Sequence, residues 1–352
     1  MSTPVRPILP SPGRLVSNGR FNLGTFKEEF TEINPLDVEI GGLFPYPRAF
    51  KNFRLKEWQH FALVNEEYYI SLALFNAKTL ALAQVCLYDR KSGSIHFYEK
   101  KTLPGNIHLP QELWNGHASM NQKGFSIYIH NELAEGHHII SFRIDATKKL
   151  PAVEGRFTCF EDMRESEPIV VCLPLKENRA MYSHKYVCPI EGELTLSGKP
   201  IVFSRKNSYG LVDIHKGYYP FVMKWHWATA GGFDPKHGLV GLNLTDNQVK
   251  DQHAYNENCI WLNGRLHLLP PVRFTFLKED LYKPWRIQDQ DGKVDLLFTP
   301  EVIRTVDINA LVVKTQYRGP FGSFTGHLKT VGNEVIQVNR FFGMCEDFFL
   351  QT

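Results

Sequence analysis

The chain has 352 residues, of which 43% are hydrophobic and 13% aromatic. It therefore has enough apolar surface to fold, and its length favours two domains or one large duplicated β-structure. Lys and Arg number 40 against 37 Asp and Glu, which gives a net charge of +3. Since no dense basic stripe accompanies this small excess, nucleic acid is not an expected partner.

The N-terminal segment, residues 1–25, contains prolines and arginines where a secretory signal would need an apolar stretch of about 7–15 residues. No run in the chain approaches the ~20 apolar residues of a membrane-spanning helix. We therefore expect an N-terminal arm over residues 1–25, a cytoplasmic location and no transmembrane segment. The six cysteines have no paired spacing and are expected to be buried free thiols.

Short segments rich in β-branched and aromatic residues follow the arm in close succession. Examples are residues 79–88, 125–131 and 138–145, and turn-forming Gly, Asn, Asp and Pro residues separate such segments. This spacing predicts meandering antiparallel hairpins and hence an all-β fold of two barrel-like halves. Helices should be few and short, with residues 110–116 and 303–310 as the candidates.

Two stretches of the chain share a pattern that suggests a duplication. Residues 56–62 (KEWQHFA) are similar to residues 224–228 (KWHWA), and each stretch leads to another strand and then to a Gly-containing hairpin. Pro and Gly residues cluster between about 170 and 205, which favours a boundary there. We therefore divide the chain after the arm into a first β-barrel half, residues 26–185, and a second, residues 186–352.

Six blocks of sequence carry a family resemblance: residues 40–42, 58–60, 225–232 (WHWATAGG), 238–243 (GLVGLN), 257–264 (ENCIWLNG) and 319–326. Together they resemble, over nearly the whole chain, an uncharacterised family catalogued as domain of unknown function 2804. More distantly, the pattern is similar to the two-barrel, lipocalin-like (calycin) superfamily of hydroxyneurosporene synthase and tocopherol cyclase. That similarity implies two lipocalin-like antiparallel β-barrel halves. It also implies hydration, cyclisation or isomerisation of a hydrophobic substrate by acid/base side chains, without metal or nucleotide.

Glu257 and His226 are the candidate catalytic residues. Glu257 precedes an apolar strand, where a carboxylate is unexpected unless it is paired or used, and apolar surroundings raise a carboxyl pKa towards that of a general acid. His226 lies among small residues, on the opposite strand face from Trp225 and Trp227, and is the candidate second proton carrier. Each has an ordinary alternative, since Glu257 could pair with an arginine such as Arg273 and His226 could be a hydrogen-bonded structural histidine.

Seven residues are candidates for substrate binding because they are aromatic or can orient polar groups. They are Trp225, Trp227, Asn243, Asn258, Trp261, His60 and Arg318. The asparagines could equally cap turns, the tryptophans could be core residues, and a turn arginine is usually solvated. The histidines and cysteines have no metal-ligand spacing, so we expect no metal and no cofactor.

The sequence has no nucleophile elbow, phosphate-binding loop or dinucleotide-binding glycine motif, which argues against serine hydrolases, nucleotide hydrolases and Rossmann dehydrogenases. Three functions stay open. The leading one is a cofactor-free hydratase, lyase or isomerase acting on a hydrophobic small molecule. The others are a carbohydrate-active enzyme with two carboxylates and stacking tryptophans, and a non-catalytic lipid or small-ligand binding barrel. The expected partner is thus an apolar or sugar-like small molecule.

Overall fold

The computed structural model describes residues 6–41, 45–310 and 313–351. The chain is 61% strand and 4% helix, and its strands form two curled antiparallel half-barrel sheets. The predicted all-β, two-half-barrel class is therefore confirmed. Within the described ranges, no helix is long and apolar enough to cross a membrane.

The residues described up to Gly217 contain seventeen strands, and all except the separate β2–β3 hairpin belong to one sheet. Their bounds are β1 Ile8–Leu9, β2 Val16–Ser17, β3 Arg20–Phe21, β4 Gly24–Phe26, β5 Lys56–Val64, β6 Tyr68–Asn76, β7 Ala81–Asp89, β8 Ile95–Thr102, β9 Ile107–His108, β10 Gly116–Gln122, β11 Phe125–Glu132, β12 His137–Ile144, β13 Val153–Phe160, β14 Ile169–Lys176, β15 Arg179–Leu196, β16 Lys199–Phe203 and β17 Tyr209–Gly217. The main path across this sheet runs β8-β7-β6-β5-β17-β15-β13-β12-β11-β10-β9.

The second sheet has nine strands. Their bounds are β18 Val222–Asp234, β19 Gly238–Asn247, β20 Cys259–Leu262, β21 Arg265–Leu268, β22 Val272–Thr275, β23 Trp285–Asp289, β24 Val294–Ala310, β25 Val313–Lys329 and β26 Val335–Gln351. The order across the sheet is β21-β20-β19-β18-β26-β25-β24-β23-β22, so the last strand of the chain pairs with the first strand of this sheet.

Among the described residues, helix is confined to one α-helix, α1 at Arg48–Arg54, and two 3-10 turns at Pro35–Asp37 and Pro104–Asn106. Both predicted helices are wrong. Residues 303–310 continue strand β24, and residues 110–116 contain no helix. The long pairing of β24 with β25 outweighs the weak local helix signal, because strand pairing satisfies the backbone along the whole hairpin.

Side-chain alternation places the core on one face of each strand. In β11, for example, Phe125, Ile127 and Ile129 are buried and the residues between them are not. Tight turns with suitable residues join the strands: Asn263 and Gly264, between β20 and β21, both have positive φ, at 47° and 82°, as two-residue hairpin turns require. The six cysteines are all buried and free, as predicted.

The chain passes from the first sheet to the second between Gly217 and Val222. The predicted division between residues 185 and 186 falls inside β15, whose partners among the described strands belong to the first sheet. The sheets share one hydrophobic core, in which Trp227 and Phe342 of the second sheet pack among buried side chains of the first. A second apolar cluster fills the interior of the second sheet.

Candidate active site between the two sheets

A small cavity lies where the two sheets face each other. Its lining includes Trp58, Lys185, Asp213 and His215 from the first sheet and Trp225, Trp227, Glu257 and Glu346 from the second part of the chain. Its volume is about 30 Å³, which is room for about two water molecules. The cavity therefore combines aromatic walls with five ionisable side chains in a space that is almost filled by protein.

Cross-strand pairing fixes the first-sheet side of the cavity. Lys185 of β15 lies opposite Asp213 of β17, and His215 of β17 lies opposite Trp58 of β5. Residues two apart in a strand share a face, so both pairs line the same side. The Trp58 indole stacks on the His215 ring with centroids 4.0 Å apart, and its Nε1 donates to Asp213 Oδ2 at 3.0 Å.

His215 is an uncharged ring on which the Trp58 indole packs. Burial lowers the pKa of His215 to about 3. Its Nδ1 lies 2.8 Å from the Ser183 hydroxyl, and its Nε2 contacts the Tyr219 hydroxyl. Both ring nitrogens are therefore engaged, which fixes the plane on which Trp58 stacks.

Strand β18 presents Trp227 to the cavity, and its two strand partners in register are Thr245 of β19 and Glu346 of β26. Asn243 joins this wall to the segment before β20. It accepts a hydrogen bond from Trp227 Nε1 at 2.7 Å and donates to the backbone oxygen of Glu257 at 2.8 Å. The asparagine thus positions both the indole and the carboxylate-bearing residue.

Lys185 is the centre of a buried ionic group. Its Nζ lies 2.9 Å from Asp213 Oδ1, 3.5 Å from Glu257 Oε1 and 4.5 Å from the centroid of the Trp227 ring. Burial alone would lower the pKa of Lys185. The carboxylates of Asp213 and Glu257 raise this pKa by more than burial lowers it, so it lies above its ordinary value. Although burial raises the pKa of Asp213, Lys185 holds it below its ordinary value. The group is therefore one ammonium between two carboxylates.

Glu257 is 2% exposed and has one satisfied and one unsatisfied oxygen. Oε1 accepts a hydrogen bond from the Thr245 hydroxyl at 2.6 Å and is the oxygen near Lys185. Oε2 is buried and has no hydrogen-bond partner among the residues that the structure describes. An unsatisfied buried acceptor is costly, so a water or a substrate group in the cavity would gain a strong interaction there.

Glu346 is the second glutamate in the lining of the cavity. Trp225 Nε1 donates to its Oε2 at 3.1 Å. Burial raises the pKa of Glu346 to about 7, and the nearby carboxylate of Asp213 acts in the same direction, while the Trp225 hydrogen bond opposes it. A carboxyl group that changes charge near neutral pH suits general acid/base catalysis.

The family described as domain of unknown function 2804 matches residues 5–350. The chain belongs to this family. The match covers both sheets and confirms the predicted resemblance. No curated protein matches the sequence.

Two solved structures have folds similar to this member of the family. Kievitone hydratase from Nectria haematococca is 11% identical with a TM-score of 0.48, and the match covers 84% of this chain and 88% of that chain. A protein from Nitrosomonas europaea described as an AttH is 16% identical with a TM-score of 0.48, and the match covers 88% of this chain and 98% of that chain. At these similarities neither structure indicates an activity for this chain.

Of the candidate residues from the sequence, Trp225, Trp227 and Glu257 line the cavity, and Asn243 lies directly behind two of them. His226 lies on the other face of β18. Its Nε2 is 3.3 Å from Asp347 Oδ1, and its ring packs near two phenylalanines. The structure therefore separates the two candidate catalytic residues.

His60 and Asn258 lie close to the cavity lining without joining it. His60 Nε2 is 2.9 Å from the Ser71 hydroxyl, and its ring is 6.1 Å from that of Trp227. Burial lowers the pKa of His60 to about 4. The Asn258 side chain accepts a hydrogen bond from the backbone N–H of Thr245 at 2.6 Å, so it holds the strand that carries a cavity residue.

Trp261 and Arg318 have partners elsewhere. The Trp261 Nε1 donates to the backbone oxygen of Glu167 at 2.9 Å, in a contact between the two parts of the chain. Arg318 pairs with Asp307 at 2.8 Å on the β24–β25 hairpin. Neither side chain lines the cavity.

Sequence reasoning missed Lys185, Asp213, Glu346 and Trp58. One signal was present: Asp213 lies in the apolar run of β17, between Val212 and Ile214, where a charged side chain needs a partner or a use. The same argument had selected Glu257. What the sequence did not contain was the pairing of β17 with β5 and β15, which brings these residues together.

Proposed function

We propose that this protein is a cofactor-free hydratase, lyase or isomerase that acts on a hydrophobic small molecule in the cavity between the sheets. The observation that carries the proposal is the pair of carboxyl groups in different environments. Glu346 has a pKa raised to about 7, whereas Glu257 lies beside the Lys185 ammonium and keeps one oxygen without a donor. Such pairs divide into an acid and a base.

In hydration, protonated Glu346 donates its proton to one carbon of a substrate double bond, and a water molecule bonds to the other carbon. Glu257 Oε2 accepts the proton that this water loses. The C=C bond becomes C–H and C–OH, Glu346 ends as a carboxylate and Glu257 ends protonated. Proton exchange through cavity water restores the starting state, and the reverse sequence is dehydration.

Isomerisation uses the same two groups. Glu346 protonates one end of the double bond, and Glu257 removes a proton from the carbon beside the resulting cation, which moves the double bond. Lys185 keeps a positive charge next to Glu257 throughout. This placement suits a base better than the general acid predicted from the sequence, and it transfers that role to Glu346.

The walls of the cavity favour an apolar substrate. Trp58, Trp225 and Trp227 provide aromatic surface, and the lining also contains Met181 and Met223. Because methionine is unbranched and adaptable, these two side chains can move to enlarge a cavity of about 30 Å³. Substrate binding is therefore expected to widen the junction between the sheets.

The first prediction tests this assignment with conjugated enones, trisubstituted alkenes and tertiary alcohols incubated with the full chain in ¹⁸O-labelled water. Mass spectrometry follows incorporation of oxygen into product or its loss. Glu346→Gln removes the acid and should lower turnover by about 10²–10⁴-fold. Turnover by the wild-type protein should fall as the pH rises through about 7, where Glu346 loses its proton.

Glu301→Gln is the matched control, since Glu301 accepts hydrogen bonds from Tyr88 and Ser323 outside the cavity. Equal turnover in the two variants would contradict the assignment of Glu346. Cleavage of aryl glycosides with no reaction of the alkenes would favour the carbohydrate-active alternative. Tight binding of the alkenes without turnover would favour the non-catalytic binding barrel.

A further inference from the structure

A second polar cluster lies inside the first sheet, and the proposed reaction does not use it. It consists of His138 of β12, Glu161 just after β13 and His184 of β15, all 0% exposed. His184 is next to Lys185 in the strand and so points to the opposite face from the cavity. Glu161 Oε2 lies 3.0 Å from His138 Nε2, and Glu161 Oε1 lies 2.8 Å from His184 Nε2.

The other nitrogen of each imidazole also has a defined partner. His138 Nδ1 lies 2.9 Å from Asn131 Oδ1, and His184 Nδ1 lies 2.5 Å from Glu29 Oε2. Oxygen lies at both nitrogens of each ring, so a neutral imidazole that donates from Nδ1 turns its Nε2 lone pair towards a Glu161 oxygen, which is favourable only with a cation between them. Metal-binding histidines are oriented in this way, by donating their second N–H to a carboxylate or carbonyl oxygen.

The charges of the cluster also fit a cation. Glu29 and Glu161 are two carboxylates without exposed surface, and buried carboxylates require neutralisation. Tyr182 donates to Glu29 at 2.8 Å but brings no charge. One divalent ion with two neutral imidazoles balances the two negative charges. Without an ion, each imidazole would need an additional proton.

We propose that His138, Glu161 and His184 form a structural site for one divalent transition-metal ion of the zinc class. The two Nε2 atoms and the two oxygens of Glu161 supply four donor atoms from three residues, and imidazole nitrogen and carboxylate oxygen are both donors that zinc accepts. One donor atom from each residue lies within 4.8 Å of the others. Zn–N bonds of about 2.0–2.1 Å at tetrahedral angles place the two imidazole nitrogens ~3.3 Å apart, so side-chain movements of up to about 1.5 Å close the site.

This site could not be recognised in the sequence, because its three ligands lie on separate segments and their spacing matches no metal-binding motif. The ion would join β12, the end of β13 and β15, and through Glu29 it would also hold the segment after β4. Such a site stabilises the first half-barrel and takes no part in the reaction between the sheets. It is therefore independent of the proposed function.

The test uses the tag-free full chain and Zn²⁺ alone. Elemental analysis of the purified protein should find one transition-metal ion per chain. After chelator treatment, added Zn²⁺ should bind at one per chain and raise the melting temperature. Glu161→Gln keeps the side-chain size but removes the charged ligand and should abolish stoichiometric binding. Glu29→Gln weakens the support of His184 and should lower affinity about 10–100-fold.

Exposed histidines provide the control. His108, His117 and His130 form a row across β9–β11, with neighbouring ring centroids 4.8 and 6.4 Å apart, and such a row can collect ions. His117→Ala should leave the single site intact. The proposal is overturned if the folded wild-type chain binds no Zn²⁺, or if His117→Ala abolishes binding while the Glu29 variant binds normally. If the Glu161→Gln variant does not fold, Zn²⁺ binding by the wild-type chain and by the His117 and Glu29 variants still tests the proposal.

Discussion

Glu346 is a side chain whose environment opposes its charge. It lies on β26, and its carboxyl group accepts hydrogen bonds from the Trp225 indole and the Tyr317 hydroxyl. Lys185, by contrast, has two carboxylates within 3.5 Å. Burial of an ionisable group is tolerated where a partner compensates for lost solvation. Because Lys185 has charged partners close by, it stays an ammonium. Glu346 has weaker compensation for its lost solvation, so its carboxyl group titrates near neutral pH.

The raised pKa of Glu346 has a consequence for stability, which is the second prediction. Between the ordinary value of 4.5 and the folded value of about 7, the folded chain binds a proton that the unfolded chain has lost. Stability therefore falls as the pH rises through this window, by at most about 3 kcal/mol, because the Glu346 side chain keeps part of its surface in contact with solvent. Glu346→Gln removes this cost, so urea unfolding should show the variant to be more stable than wild type at pH 8 and similar at pH 4.

Glu301→Gln again serves as the control and should show no such pH-dependent gain. A stability difference between wild type and Glu346→Gln that is the same at pH 4 and pH 8 would mean that the carboxyl group is not desolvated in the folded chain. That result would also remove the reason for assigning it as the general acid.

At the level of elements, the strands that resemble each other in sequence face each other across the cavity. Trp58 of β5 and Trp225 of β18 have ring centroids 6.3 Å apart with an angle of 23° between their planes. The alternation that placed Trp225 and Trp227 on one face could be read from the sequence because it depends only on neighbouring residues. The sequence could not show which face of β18 packs against the other sheet, because that depends on contacts between strands far apart in the chain.

The same distinction explains most of what sequence reasoning found and missed. Strand segments, turns and buried cysteines follow from local composition. Glu257 was found because a carboxylate beside an apolar strand is a local anomaly. Lys185 and Asp213 meet through pairing of β15 with β17, and Glu346 arrives on the last strand of the chain. Asp213 stood out locally as a charge in an apolar run, but its strand partners could not be read from the local sequence. The orientation of His226 away from the cavity could not be read from it either.

Close contact between the sheets depends on glycine, which gives the third prediction. A Cβ placed on Gly241 of β19 would lie 2.3 Å from the Cβ of Val187 of β15. Gly241→Ala must therefore push the sheets apart and should cost about 1–3 kcal/mol of unfolding free energy in guanidinium. Gly105→Ala is the control, since a Cβ there has no atom within 4 Å. An equal effect of the two substitutions would mean that the sheets are not tightly packed at Gly241.

At the level of the whole molecule, each sheet is built from a continuous part of the chain. The strands of the first sheet end at Gly217 and those of the second begin at Val222. Contacts between the parts include the Lys185–Glu257 pair and a hydrogen bond of 2.9 Å from the Tyr209 hydroxyl to the Phe342 backbone oxygen. The candidate active site exists only at this junction, so its geometry depends on how firmly the sheets are joined.

The fourth prediction is that the two sheets unfold together. Their shared core contains large side chains from both, among them Phe61 and Tyr182 of the first sheet and Trp227 and Phe342 of the second. Separating the sheets would expose this surface together with the Lys185 ionic group. We therefore expect one calorimetric transition, with the van't Hoff enthalpy equal to the calorimetric enthalpy and with tryptophan fluorescence and far-UV circular dichroism changing together. Gly241→Ala should move this single transition to lower temperature without dividing it, whereas two separate transitions would show that the second sheet, which has an apolar cluster of its own, is stable without the first.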